Sequence, residues 1–148
     1  MTTQNKLHKS SLYNTLLSLS RNIFFYRNLG LSDTFETRIY LMFIHFSIML
    51  IITKKKGSKF NQESYDNFFN NIEYNLRELG FGDVTVNKKM KDLNKLLYDI
   101  LLKIEKKPSQ KFELNQSLIF KYFNQLDDNK RVKYGVFERY FIEFYEFC

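Results

Sequence analysis

Gly80 and Gly82 flank Phe81, Asp83 follows, and Lys88, Lys89 and Lys91 come close behind. Two glycines followed by cations are ingredients of a phosphate cradle, where bare backbone amides approach an anion and a lysine neutralises it. The spacing argues against one. Dinucleotide loops need a strand feeding the glycines and a third glycine, and triphosphate loops need Gly-Lys-Ser/Thr. Here a helical pattern precedes the pair and neither completion follows. The alternative is a corner between helices, in which Gly80 ends one helix, Gly82 lets the chain turn and Asp83 caps the next. The corner is the reading adopted.

His45 is the other residue with chemical capacity, set in the most apolar stretch, "IYLMFIHFSIMLII" (39–52), with Arg38 seven residues earlier on the same helical face. The pair either lines a groove for a client, or supplies a transient haem ligand, or is structural. In the structural case His45 is buried and hydrogen-bonded, and Arg38 pairs with Glu78 or Asp83. Arg77 and Glu78, with Asp33, Arg38 and Asp83, have the charges to form a polar network tying three helices together. No nucleophile, base and orienting acid combine, because Cys148 is terminal and the two histidines stand apart. No His, Cys or carboxylate pair has a metal-ligand spacing. No catalytic, cofactor-binding or metal-binding residue is expected. Lys88, Lys91 and Lys95 form a basic stripe that is either a solvated face or a contact for anionic headgroups or RNA.

The elements that position these residues read as helices throughout. Leu12, Leu16, Leu19, Ile23 and Tyr26 make a first apolar stripe ending at Gly30. A second helix starts at "SDTFE", with Asp33 and Glu36 as a capping box, and runs to Thr53 before Lys54–Lys56 and Gly57. A third carries Tyr65, Phe68, Ile72, Leu76 and Leu79. The fourth has the clearest pattern, Val86, Met90, Leu93, Leu97, Ile100 and Ile104, closed by Lys106, Lys107 and Pro108. Two aromatic helices follow, around 113–125 and 132–147, with "DDNKR" (127–131) between them. The expectation is an all-α bundle of about six helices without a sheet. It forms one domain, 1–148, with a core at 10–107 and a C-terminal appendage at 108–148.

Bulk properties fit that picture. A chain of 148 residues suits one domain with a real core. The single cysteine allows no internal disulfide. The start, "MTTQNKLHKSSLYN", lacks the order of a secretory signal, and the apolar stretch of 14 residues is shorter than the ~20 of a spanning helix. Residues 1–53 carry five Lys/Arg against two Asp/Glu, 54–107 twelve against eight, and 108–148 six of each, so the whole +7 lies before Pro108. That asymmetry suits an acidic partner: anionic lipid, RNA or an acidic protein face.

Two stretches, "YRNLGLSDTFETRIYLMFIHFSIML" (26–50) and "FFNNIEYNLRELGFGDVTVNKKMKDL" (68–93), resemble the ubiquinol–cytochrome c chaperone family. The first matches its Tyr, Leu-Gly, Asp-Thr-Phe-Glu-x-Arg and apolar helix with a histidine. The second matches its aromatic helix ending in Leu-Arg-Glu-x-Gly, then Gly-Asp, Val and a lysine-rich helix. Ser32 replaces a usual Pro, Thr37 a common Gly, Ile44 a Leu and Leu79 a Met, while Asp99–Ile100 follow Tyr98 where Gly-Arg is frequent. The likeness covers roughly 12–104. It implies a chaperone rather than an enzyme. The expected client is newly made cytochrome b, with a small partner chaperone and the ribosome as further contacts. The setting it implies is a bacterial cytoplasm beside the inner membrane, or alternatively a mitochondrial matrix. The alternative from charge alone is a basic RNA- or ribosome-binding adaptor.

Overall fold

A computed structural model describes residues 11–104, 111–127 and 131–148. Among them are six α-helices and no strand: α1 Ser11–Ser20, α2 Phe35–Lys55, α3 Gln62–Glu78, α4 Asp83–Ile104, α5 Gln116–Tyr122 and α6 Val132–Phe147. A π-helical turn, Phe24–Asn28, joins α1 to α2, and a 3-10 turn, Asn124–Leu126, follows α5. The all-α expectation is met.

The centre is α2. Residues 41–48 are buried without exception, because α1, α4 and α6 pack around it. A helix that is apolar all round needs cover on every side. At 21 residues and mean hydropathy 1.6 it is long and apolar enough to cross a membrane, yet most of that stretch is enclosed by the bundle. Its N-cap is Thr34, whose hydroxyl accepts from the Thr37 amide at 3.2 Å. The expected Asp33–Glu36 capping box does not form, because the Asp33 carboxylate turns to Arg38 at 2.7 Å.

The first stripe also differs from expectation. α1 stops at Ser20, and the Asn22 side chain accepts from the Phe24 amide at 3.1 Å, a local bond that competes with helix continuation. The break shifts the phase. Leu16 of the expected stripe is buried, but Ile23 is left exposed, and Tyr13, Phe25 and Leu29 face the core.

The third and fourth helices follow their stripes closely. Phe68, Ile72 and Leu76 are buried on α3, and Val86, Leu97, Ile100 and Ile104 on α4. Leu79, expected on the buried face, is exposed because it lies past the helix end. The expected closure of α4 at Lys106–Pro108 and most of the "DDNKR" turn lie outside the described residues.

α6 lays its aromatic face on α2. Phe137 and Phe141 are fully buried and meet Phe25 from the π-helical turn at ring-centre distances of 6.2 and 6.0 Å. Phe112, Leu114, Leu118 and Phe123 join the same core. The C-terminal helices therefore contribute apolar substance to the bundle rather than hanging from it.

Candidate functional site

The glycine pair builds a rigid corner. Gly80 has φ +96°, the left-handed region where a Cβ is strained, and the Gly80 amide donates to Arg77 O at 2.9 Å. The Phe81 amide reaches back to Leu76 O at 3.4 Å. These two bonds are a Schellman stop. Gly82 O then accepts from the Val86 amide at 2.9 Å, so Gly82 holds the N-cap position of α4 and Asp83 the first helical one. The Asp83 side chain does not cap, because it is ion-paired to Arg77 across the corner. Phe81 is thereby presented on an anchored turn, with the Lys89 ammonium 4.7 Å from its ring centre.

The expected polar network resolves into separate pieces. Arg38 pairs with Asp33 and Arg77 with Asp83, while Glu73 stands 3.8 Å from Arg77. Arg38 makes its ion pair with neither Glu78 nor Asp83, since the loop before α2 brings Asp33 to it first.

His45 is fully buried among rings. The Leu41 carbonyl, 2.6 Å from Nδ1, can only accept, so Nδ1 carries the proton and Nε2 accepts from the Tyr140 hydroxyl at 2.9 Å. Phe141 and Phe144 each lie 4.8 Å from the imidazole centre. Both ring nitrogens are occupied, so the structure favours the structural role over a ligand with a free lone pair, and Arg38 is engaged elsewhere. Burial lowers the His45 pKa from 6.5 to about 4 and pushes the Tyr140 hydroxyl up to about 12.

Stability should respond to this histidine in a defined window. Between pH 6.5 and about 4 the unfolded chain binds a proton at His45 that the folded protein refuses. The stabilisation is therefore complete above about pH 6.5 and is lost as pH falls towards about 4. The gap corresponds to about 3 kcal/mol. Urea denaturation across that window should show a stability slope that flattens in His45→Gln. An unchanged slope in the variant would assign the pH dependence to other groups.

The corner, α2, α3, α4 and α5 together enclose a cleft of about 560 Å³. Its walls are apolar: Phe35, Ile39 and Tyr40 from α2, Leu76 and Leu79 from the end of α3, Phe81 from the corner, and Leu93 and Leu96 from α4. Its rim is charged, with Lys89, Lys95 and Lys121 interleaved with Glu36, Asp92 and Asp99. Asp99 fastens the α5 wall. It receives Lys103 at 2.9 Å, the Tyr122 hydroxyl at 2.9 Å and Lys121 at 3.5 Å. The Lys103 bond leads in holding its carboxyl below the usual range, while burial and Asp99 raise Tyr122. Phe35, Ile39 and Leu79 also line a second hollow of about 340 Å³, where Arg38 and Glu78 lie with Tyr13 and Arg21.

The expected site residues thus fall into four groups. Arg38, Glu78 and Lys95 line hollows; Asp33, Arg77, Gly80, Gly82 and Asp83 shape the supports; His45 is core. Lys88 and Lys91 sit outside the cleft on the exposed side of α4. Sequence reasoning missed Tyr40, Phe81, Leu96, Asp99 and Tyr122 as a constellation. In the sequence Phe81 reads only as a turn residue and Asp99 only as a departure from the family pattern.

The larger cleft is walled mainly by apolar side chains. Its exposed rings and aliphatic chains suit an apolar segment, and its mixed rim suits a segment with charged flanks. A family model described as ubiquinol-cytochrome C chaperone matches residues 27–118, more than half of the chain. That span runs from the π-helical turn into α5 and contains every lining residue of the larger cleft except Lys121 and Tyr122. Comparison with curated proteins and with solved structures finds no match.

Proposed function

As the chain belongs to the ubiquinol–cytochrome c chaperone family, with its general role in assembling the respiratory bc complex, we propose that it shields newly made cytochrome b. An apolar face of the client lies in the cleft between the glycine corner and α5 until the complex accepts it. The observation that carries this reading is the cleft itself, where Leu79 (58% exposed) and Phe81 (39% exposed) are held in solvent by a turn fixed with an ion pair. Exposed rings and leucines cost solvation and are usually buried, so a rigid pair of them at a groove mouth is a docking feature. At about 560 Å³ the cleft takes the anchoring side chains of one helix face, spaced i, i+3/i+4, i+7.

The charged rim adds orientation more than affinity. Lys89, Lys95 and Lys121 favour acidic groups on the client where they meet it, and the Glu36 and Asp92 carboxylates between them favour basic ones. No step of catalysis is part of this role. The protein works at the membrane face where cytochrome b emerges, at the inner membrane from the cytoplasmic or matrix side. A small partner chaperone and the ribosome are further contacts in this scheme.

The test is co-purification. Tagged protein recovered from native membranes in mild detergent should enrich cytochrome b over other abundant inner-membrane proteins. Recovery at the level of an untagged control would contradict the proposal.

A further inference from the structure

The outward side of α4 has an order of its own. Val84, Lys88, Lys91, Lys95, Tyr98 and Leu102 follow one another at intervals of four and three. At 3.6 residues per turn they fall within an arc of about 80° and span about 27 Å. All six are exposed, with Val84 at 85%, Tyr98 at 59% and Leu102 at 71%. This row is diametrically opposite Val86, Leu93, Leu97, Ile100 and Ile104, which face the core.

The three lysines are uncompensated. On α4, Asp83 pairs with Arg77 and Asp99 with Lys103 and Lys121, whereas Lys88, Lys91 and Lys95 have no ion pair among the described residues, nor does Asp92 beside the row. The result is a straight helix face with cations in the middle and apolar side chains at both ends.

We infer that this face of α4 docks the protein flat on an anionic lipid surface, the lysines meeting headgroup phosphates while Val84, Tyr98 and Leu102 enter the headgroup–acyl boundary. Charge complementarity identifies the sign of the partner, and the aliphatic ends identify its class. Against a nucleic acid, Val84 and Leu102 would face phosphates with nothing to gain. Against a bilayer they find the apolar layer beneath the headgroups, where tyrosine also sits well. Lys95 belongs to both the row and the cleft rim, so in this pose the cleft opens beside the membrane surface. The inference rests on the reading of the protein as a membrane-side chaperone and adds which surface meets the lipid.

The experiment is flotation of the full chain with two vesicle compositions, phosphatidylcholine alone and phosphatidylcholine mixed with phosphatidylglycerol. Wild-type protein should float only with the mixed vesicles. Lys88→Gln/Lys91→Gln/Lys95→Gln should weaken binding by about a hundredfold, at about fivefold for each lysine. Val84→Ser/Leu102→Ser should weaken it at least about tenfold while leaving the salt dependence in place. All six side chains are exposed, and circular dichroism checks that helicity is unchanged.

Flotation by the lysine triple variant equal to wild type would overturn the inference. So would failure of wild type to float with either composition, or lysine-dependent binding of an oligouridine RNA in place of vesicles. Lys88→Gln/Lys91→Gln and Val84→Ser/Leu102→Ser, whose side chains lie outside the cleft, should still co-purify cytochrome b from detergent extract. Loss of flotation with retained co-purification supports the assignment. Co-purification by a wild type that does not float sinks this inference alone, and flotation without cytochrome b sinks the client reading alone.

Discussion

Truncation of Phe141 to alanine is expected to destabilise the whole protein by about 3–5 kcal/mol, the range for emptying a fully buried ring site. Phe141 has no exposed surface, and its ring lies 4.9 Å from Phe137, 4.8 Å from Tyr140 and 4.8 Å from His45. Two of those neighbours are on α6, but His45 is on α2, the centre of the bundle. The cavity would therefore open at the junction between the C-terminal helix and the core. Total stabilities of small domains are about 5–15 kcal/mol, so a loss of this size should be plain in a urea midpoint. The variant should also unfold in a single transition at a lower midpoint. A midpoint unchanged from wild type would mean that residues after Pro108 are detachable from the rest, and that the aromatic junction contributes little.

Leu79→Glu/Phe81→Glu is expected to have the largest effect on function, a fall of about a hundredfold or more in recovered cytochrome b with stability nearly unchanged. Both side chains are substantially exposed, so replacing them removes little core. Both line the cleft, and anchoring side chains in such positions are worth about 2 kcal/mol or more each. The added carboxylates would also need to be desolvated against an apolar client. Retained recovery in the double variant, with denaturation midpoints equal to wild type, would move client binding away from the cleft. The contrast with Phe141→Ala is useful, because one variant spares stability and the other attacks it.

The sequence was legible wherever a signal repeats within a few residues. The four–three stripes of α3 and α4 emerged because each step is a helical turn. The glycine corner emerged because a left-handed stop leaves a glycine and a following start leaves a polar residue. The errors were also local. Asp33 and Thr34 are both good caps, and the choice between them was made by Arg38, whose competing claim a capping pattern does not contain. Ile23 continued a stripe on paper, but Asn22 offered its own oxygen to the backbone and reset the phase.

The cleft was not legible, for a different reason. His45 finds Tyr140 across 95 residues and Asp99 finds Tyr122 across 23, and neither partner bears a mark of the meeting. Leu79 and Phe81 looked like the tail of a buried face and a turn residue. Only the packing of α2, α4 and α5 turns them into the mouth of a groove. Family resemblance indicated the kind of work, while the location of the work required the tertiary contacts.

The most direct measurement is site-specific photo-crosslinking in cells, with a photoreactive phenylalanine analogue at position 81 and, as a control, at the exposed Phe147 on the far end of α6. Irradiation should join cytochrome b to position 81 and not to position 147. Equal adducts at both positions, or none at 81 while the protein still co-purifies with cytochrome b, would contradict a client held in the cleft.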